Sequence, residues 1–279
     1  MTKRICILTL FSGEQDYPYC LKSLEVQSHR SFDHRVIAGL GNHAAHAALY
    51  ATIAREIDRF DLFLKLDADM VFRSELSLAR MIDEMAVEPD CDHATWHVLD
   101  FLSETKLRGI HMFSRRVRWP DIVPGMFVDP DPLISGRRVE FSKRRECHVL
   151  HAPFPSRQQA FQFGLHRGTK CFATGLAGNG WGMKHFQFKL LCAVWEMFVR
   201  TRDETRGMAM LGAEWARKNP TQAVDYRSDT GAQQRFEVVR EFGYQEIMRE
   251  CRPFWTVHRF PQLVRHWAHV KAERIGKRL

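Results

Sequence analysis

The chain has 279 residues, 45% of them hydrophobic and 27% charged, a balance that excludes a disordered or collagen-like polymer and leaves enough apolar side chains for a sizeable core. Its 41 Lys and Arg against 33 Asp and Glu give +8, yet residues 252–279 hold seven basic residues and one acid, so +6 sits in the tail and +2 in the rest. A nucleic-acid binder carries its positive stripe on the folded module itself, so this distribution argues against nucleic acid as a partner. The seven cysteines are scattered without a C-x-x-C pair, which argues against a disulfide framework and suggests a reducing, cytoplasmic compartment.

Ile5 to Phe11 is a short continuous apolar run, broken at once by Gly13-Glu14-Gln15-Asp16. It reads as a strand buried on both faces rather than as a signal peptide. Tyr17 to Gln27 follows as a helix, Phe32 to Ala38 as a second strand, and an Ala-rich helix runs to about Arg59 with Asn42 as N-cap. Asp61 to Leu66 is a third strand, Ser77 to Ala86 a helix, and His93 to Phe101 and Leu107 to Phe113 are further strands. The alternation over the first seventy residues is that of a parallel sheet with crossover helices. Trp119 to Ser135 is a Pro-rich loop, Arg145 to Leu150 recovers strand character, and Gln158 to Lys170 is helical. Beyond the Gly-rich stretch 175–182, helices are expected over Lys184 to Arg202, Thr205 to Arg217, Ala232 to Met248 and Gln262 to Gly276. The expected fold is α/β, a mostly parallel central sheet flanked by helices with a helical C-terminal extension. The expected division is residues 1–175 and 176–279.

Asp67-Ala68-Asp69 directly follows the third strand. In open α/β sheets ligands bind outside the carboxyl ends of strands, where two carboxylates one residue apart can share a divalent cation. A hard cation, Mn²⁺ or Mg²⁺, takes one or two carboxylates plus substrate phosphates. The plain alternative is a solvated turn.

Residues 62–72, Leu-Phe-Leu-Lys-Leu-Asp-Ala-Asp-Met-Val-Phe, resemble the metal-binding Asp-x-Asp segment of nucleotide-sugar glycosyltransferases of the GT-A fold. The opening is similar to that of family-2-like members: Ile7 to Phe11, then Glu14, Leu21-x-Ser23-Leu24-x-x-Gln27, and Phe32-x-x-x-Val36. The resemblance is clear over residues 5–72 and partial to about residue 170. It implies a GT-A-like fold, transfer of a sugar from a nucleotide-diphosphate donor to a saccharide or lipid-linked acceptor, and a Mn²⁺ or Mg²⁺ cofactor. It implies donor binding around Thr9, Phe11, Glu14, Lys65, Asp67 and Ala68, with Asp67, Asp69 and a late-strand histidine, His151, as metal ligands. The stretch Val36 to Gly41 lacks the acid with which such enzymes read the nucleobase.

Arg157, His166, Arg167 and Lys170 form a second candidate group, in which His166 and Lys170 share a helix face. Cations there could hold a departing diphosphate, while surface ion pairs are the ordinary alternative. Asp129 and Asp131, in the Pro-rich loop, are the candidate general bases. Pairs such as His93/His97 and His266/His269 suggest no third ligand. The tail helix gathers Leu263, Val264, Trp267, Ala268, Val270 and Ile275 broadly on one side, and its basic content suits an anionic membrane surface. The alternative is that this face docks on the protein's own core. Two rival functions are a catalytically silent, membrane-peripheral nucleotide-sugar-binding protein and a nucleotidyltransferase.

Overall fold

A computed structural model describes residues 3–119, 136–141, 147–172, 180–220, 230–257 and 259–276. The chain divides into two compact units, one formed by residues 1–101 and 106–154 and the other by residues 102–105 and 155–279. The expected boundary at 175/176 lies outside the described residues.

The first unit is built on one sheet. β1 (Ile5–Phe11) lies between β2 (Phe32–Ala38) and β3 (Leu62–Asp67), parallel to both. That central place explains its unbroken apolar run, since Ile5, Cys6, Ile7 and Leu8 are wholly buried. α1 (Tyr17–Glu25), α2 (Asn42–Glu56) and α3 (Ser77–Ala86) supply its helices. Gly41, not Asn42, caps α2. One core cluster joins Leu49, Tyr50 and Ile53 of α2 to Cys6, Leu8, Phe63 and Phe113 of the sheet.

The remaining strands are β4 (Met70–Phe72), β5 (Cys91–Asp100), β6 (Lys106–Ser114), β7 (Arg137–Glu140) and β8 (Val149–His151). The path is β2-β1-β3-β6-β5-β8-β4, with β7 also beside β5. This α/β sheet is mixed, which corrects the expectation of a mostly parallel one. β6 runs antiparallel to both β3 and β5, and β4 antiparallel to β8. The physical reason is local: only a short turn separates β5 from β6, and a parallel pair needs a crossover of a dozen or more residues.

The second unit is helical among its described residues: α4 (Arg157–Phe172), α5 (Trp181–Thr201), α6 (Glu204–Lys218), α7 (Thr230–Val239), α8 (Tyr244–Val257) and α9 (Arg259–Gly276). α4 and α6 meet at backbone contact. A Cβ added at Gly164 would stand 1.6 Å from the Ala209 carbonyl oxygen, and one at Gly212 2.0 Å from that of Phe161. Buried Arg206 of α6 reaches Glu104 at 2.9 Å, a residue held at φ +52. The helix expected over Ala232 to Met248 is two helices, α7 and α8, parted around Gly243.

Candidate functional site

The site grows from strand ends of the first unit. β3 terminates at Asp67, and the Ala68 amide donates to the Leu10 carbonyl at 3.1 Å, fixing the turn beside the end of β1. The chain then enters β4, whose residue Met70 pairs with His151 of β8. The Ala152 amide donates to the Asp69 carbonyl at 2.7 Å, with Ala152 in the left-handed region at φ +47. β8 also pairs with the carboxyl end of β5, setting Asp100 beside His151. Three segments distant in sequence thus converge on one point.

Asp100 is wholly buried, and its carboxylate accepts from His151 Nδ1 at 2.7 Å. That bond orients the ring so that Nε2 lies 3.5 Å from Asp69 Oδ2. A histidine whose Nδ1 is held by a carboxylate presents a fixed, basic Nε2, the arrangement metal-ligating imidazoles usually have. Lys65, buried on β3, bonds both oxygens of Asp67 at 2.8 and 3.0 Å. A buried ammonium is costly without such a partner, so this pair is self-sustaining.

The surroundings are acidic. The Asp69 carboxyl is pushed up to about 6, foremost by burial and further by Asp67, Glu14 and Asp16, with His151 opposing. Its side chain still keeps 20% exposure, so it remains open to solvent. The buried Cys20 thiol is pushed up to about 12 by burial and by Asp69, Asp67 and Asp16. Burial, the larger cause, penalises charge of either sign, and it is the smaller contribution of the neighbouring carboxylates that favours an added cation.

The other sequence candidates in this unit are engaged as follows. Thr9 is buried, with its hydroxyl 2.9 Å from His34 Nε2. Phe11 stacks on Tyr17 at 4.5 Å. Glu14 accepts from the Ser12 amide at 2.7 Å and from its hydroxyl. Ala68 is buried. His93 pairs with His111 at 3.0 Å, not with His97. In the second unit, Arg157 bonds Glu204 at 2.7 Å and the Phe242 carbonyl, and Arg167 bonds Gln187 at 3.1 Å. His166 and Lys170 lie half-buried on α4. Asp129 and Asp131 lie outside the described residues.

Two residues escaped the sequence reading. Asp100 carried a weak signal, an acid at the carboxyl end of an apolar strand. Asp16 is wholly buried and accepts from the Phe154 amide at 2.7 Å, tying the start of α1 to the chain beyond β8. Ser23 and Gln27, already noted in the α1 pattern, brace the same region. The Ser23 hydroxyl accepts from the Phe72 amide at 3.0 Å. Buried Gln27 donates to the Ser74 carbonyl at 2.9 Å and accepts from the Leu78 amide at 2.9 Å.

Can these residues hold a divalent cation? Among the described residues no group of three or more His, Cys, Asp or Glu is arranged to hold a metal. Asp69 and His151 nevertheless fit as a pair: Nε2 lies 3.5 Å from Asp69 Oδ2, Nδ1 is anchored by Asp100, and Asp69 has Asp67, Glu14 and Asp16 nearby. Asp67 already meets Lys65 with both oxygens, which suits it to an outer, water-mediated role.

No protein-family model and no curated protein matches the chain. Among solved structures it is similar to A197 from STIV, with TM-score 0.32 and 10% identity over 40% of this chain and 65% of that one, just under two thirds of its length. It is also similar to a glycosyltransferase involved in the glycosylation of the major capsid of PBCV-1, with TM-score 0.37 and 15% identity over 56% of this chain and 95% of that one. Both likenesses are partial and of low identity.

Proposed function

We propose that the chain is a metal-dependent glycosyltransferase that moves a sugar from a nucleotide-diphosphate donor to a saccharide or lipid-linked acceptor. The observation that carries this reading is the convergence of Asp69, His151 and Asp100 at the carboxyl ends of β3, β8 and β5. The Asp-x-Asp segment that resembles the transferase motif stands beside an anchored imidazole, 3.5 Å from Asp69.

Asp69 and His151 would hold Mn²⁺ or Mg²⁺ from the protein side, leaving room for water and the donor's phosphates. A bound cation would supply positive charge to the diphosphate as it departs. The chain's own residues do the rest. Lys65 fixes Asp67 so that its oxygens can orient water or a donor hydroxyl, and Asp100 fixes the His151 ring. Transfer breaks the bond between the anomeric carbon and the phosphate oxygen and forms one to the acceptor oxygen. The acceptor's proton passes to a base, for which Asp129 and Asp131 remain the sequence candidates.

The test is to incubate the full chain with a panel of nucleotide sugars and Mn²⁺ and measure release of nucleoside diphosphate. At least one donor should be turned over, and Asp69→Asn should lower that rate about 100-fold. An unchanged rate in Asp69→Asn contradicts the reading. Binding without turnover of any donor favours the silent binding protein.

A further inference from the structure

We infer that the outer face of α9 is a docking surface for an anionic lipid bilayer, a role independent of the sugar-transfer reading. The inner face of this helix is already occupied. His266 is 1% exposed, its ring is 5.2 Å from that of Phe188 on α5, and His269 stacks on Trp181 at 4.0 Å. Leu263 and Val270 are half-buried on the same side. The helix is therefore docked on its own unit, and the second apolar stripe is left over.

That stripe is Phe260, Val264 and Trp267, exposed by 72%, 55% and 52%. With Lys271 they recur at intervals of four, three and four residues, which puts them on one side of an α-helix. Lys271 Nζ lies 4.1 Å from the centre of the Trp267 ring, so its charge is carried at the edge of the aromatic surface. Arg265 and Lys271 are both exposed, and residues 252–279 carry seven basic residues and one acid.

Charge decides the occupant. Exposed Phe and Trp edged by Lys and Arg match the boundary of an anionic leaflet, where rings enter the headgroup region and cations meet lipid phosphates. A second copy of this chain would bring the same positive charge against itself. No helix among the described residues is long and apolar enough to cross a membrane, so the contact would lie along the surface.

Vesicle flotation of the full chain tests this. With phosphatidylcholine vesicles containing about one third phosphatidylglycerol the protein should float, and raising salt to about 0.5 M should release it. Pure phosphatidylcholine should carry little. The double variant Phe260→Ser/Trp267→Ser should partition roughly tenfold more weakly or worse, and Arg265→Glu/Lys271→Glu should lose the preference for anionic lipid. All four positions are exposed, and if the serine pair lowers the melting temperature the charge pair alone decides. Asp69→Asn should float like the unmodified chain, which separates this surface from the transferase site. Absent flotation, equal binding to neutral and anionic vesicles, or unchanged binding of the charge-reversed pair overturns the inference. So does a serine pair that converts a dimer to a monomer in light scattering, because the stripe would then be a contact between copies.

Discussion

Asp100 never faces solvent, yet it determines what His151 can do. Its negative charge favours the tautomer with the proton on Nδ1 and leaves Nε2 as a lone-pair donor. Asp100→Asn keeps the shape and removes the charge, so Mn²⁺ affinity measured by calorimetry should fall about 10- to 100-fold. Unaltered affinity would show that His151 is not a ligand. Lys65→Met should act in the opposite direction, because it frees both Asp67 oxygens and should tighten Mn²⁺ in the absence of donor. Asp67 and Asp69 were visible in the sequence as candidates because the signal is local: two acids, one strand end, three consecutive residues. Asp100 was not, because its role depends on β5 lying beside β8, about fifty residues later, and adjacency of that kind leaves no mark in composition or periodicity. Lys65 was placed near the donor by resemblance, while its grip on Asp67 is visible only with side chains in place.

Among the elements, strands and helices of the first seventy residues follow their hydrophobic runs closely, and β1 occupies Ile5–Phe11 as read. Two features overrode pattern. β4, three residues long, is too short to show periodicity and forms because β8 offers it a partner. The tail helix has apolar residues on more than one side, and tertiary contact decided which side is buried. Its docking carries a pH dependence. Burial, with His185, Lys184, Arg265 and His269 adding positive charge, lowers the His266 imidazole to about 4. The Gln262 amide nitrogen, 3.0 Å from Nε2, can only donate, so it requires the neutral ring. The folded form therefore binds fewer protons than the unfolded one between about 6.5 and 4. Docking is at full strength above pH 6.5 and loses on the order of 3 kcal/mol as pH falls to 4. The protection factors of α9 amides, exchange rates corrected for the intrinsic pH dependence, should fall from pH 7 to 4.5, and His266→Phe should flatten that change; an identical acid response in the variant would rule out His266 as its cause. The α4–α6 contact makes a steric prediction of the same kind. Gly164→Ala drives a methyl into the Ala209 carbonyl and should cost about 3 kcal/mol in denaturant melts. Gly182→Ala, with nothing within 4 Å, should be neutral or slightly stabilising. Equal effects of the two would mean that the helix pair is not in backbone contact.

On the scale of the whole molecule, +8 divides into a nearly neutral body and a +6 tail, and the body itself holds a local excess of carboxylates at the strand ends. Charge is thus organised by place rather than by total: a group of carboxylates at strand ends in the first unit, a basic aromatic helix face in the second. In the proposed site Asp69 and His151 form one half and the donor diphosphate the other. Calorimetry of Mn²⁺ and a nucleoside diphosphate, titrated singly and together, measures this directly, because binding of each must strengthen the other by the same factor. The expected result is a mutual gain of about tenfold or more that disappears in Asp69→Asn. Independent binding of the two ligands, or a gain that survives in Asp69→Asn, would mean that Asp69 does not hold a cation against the diphosphate.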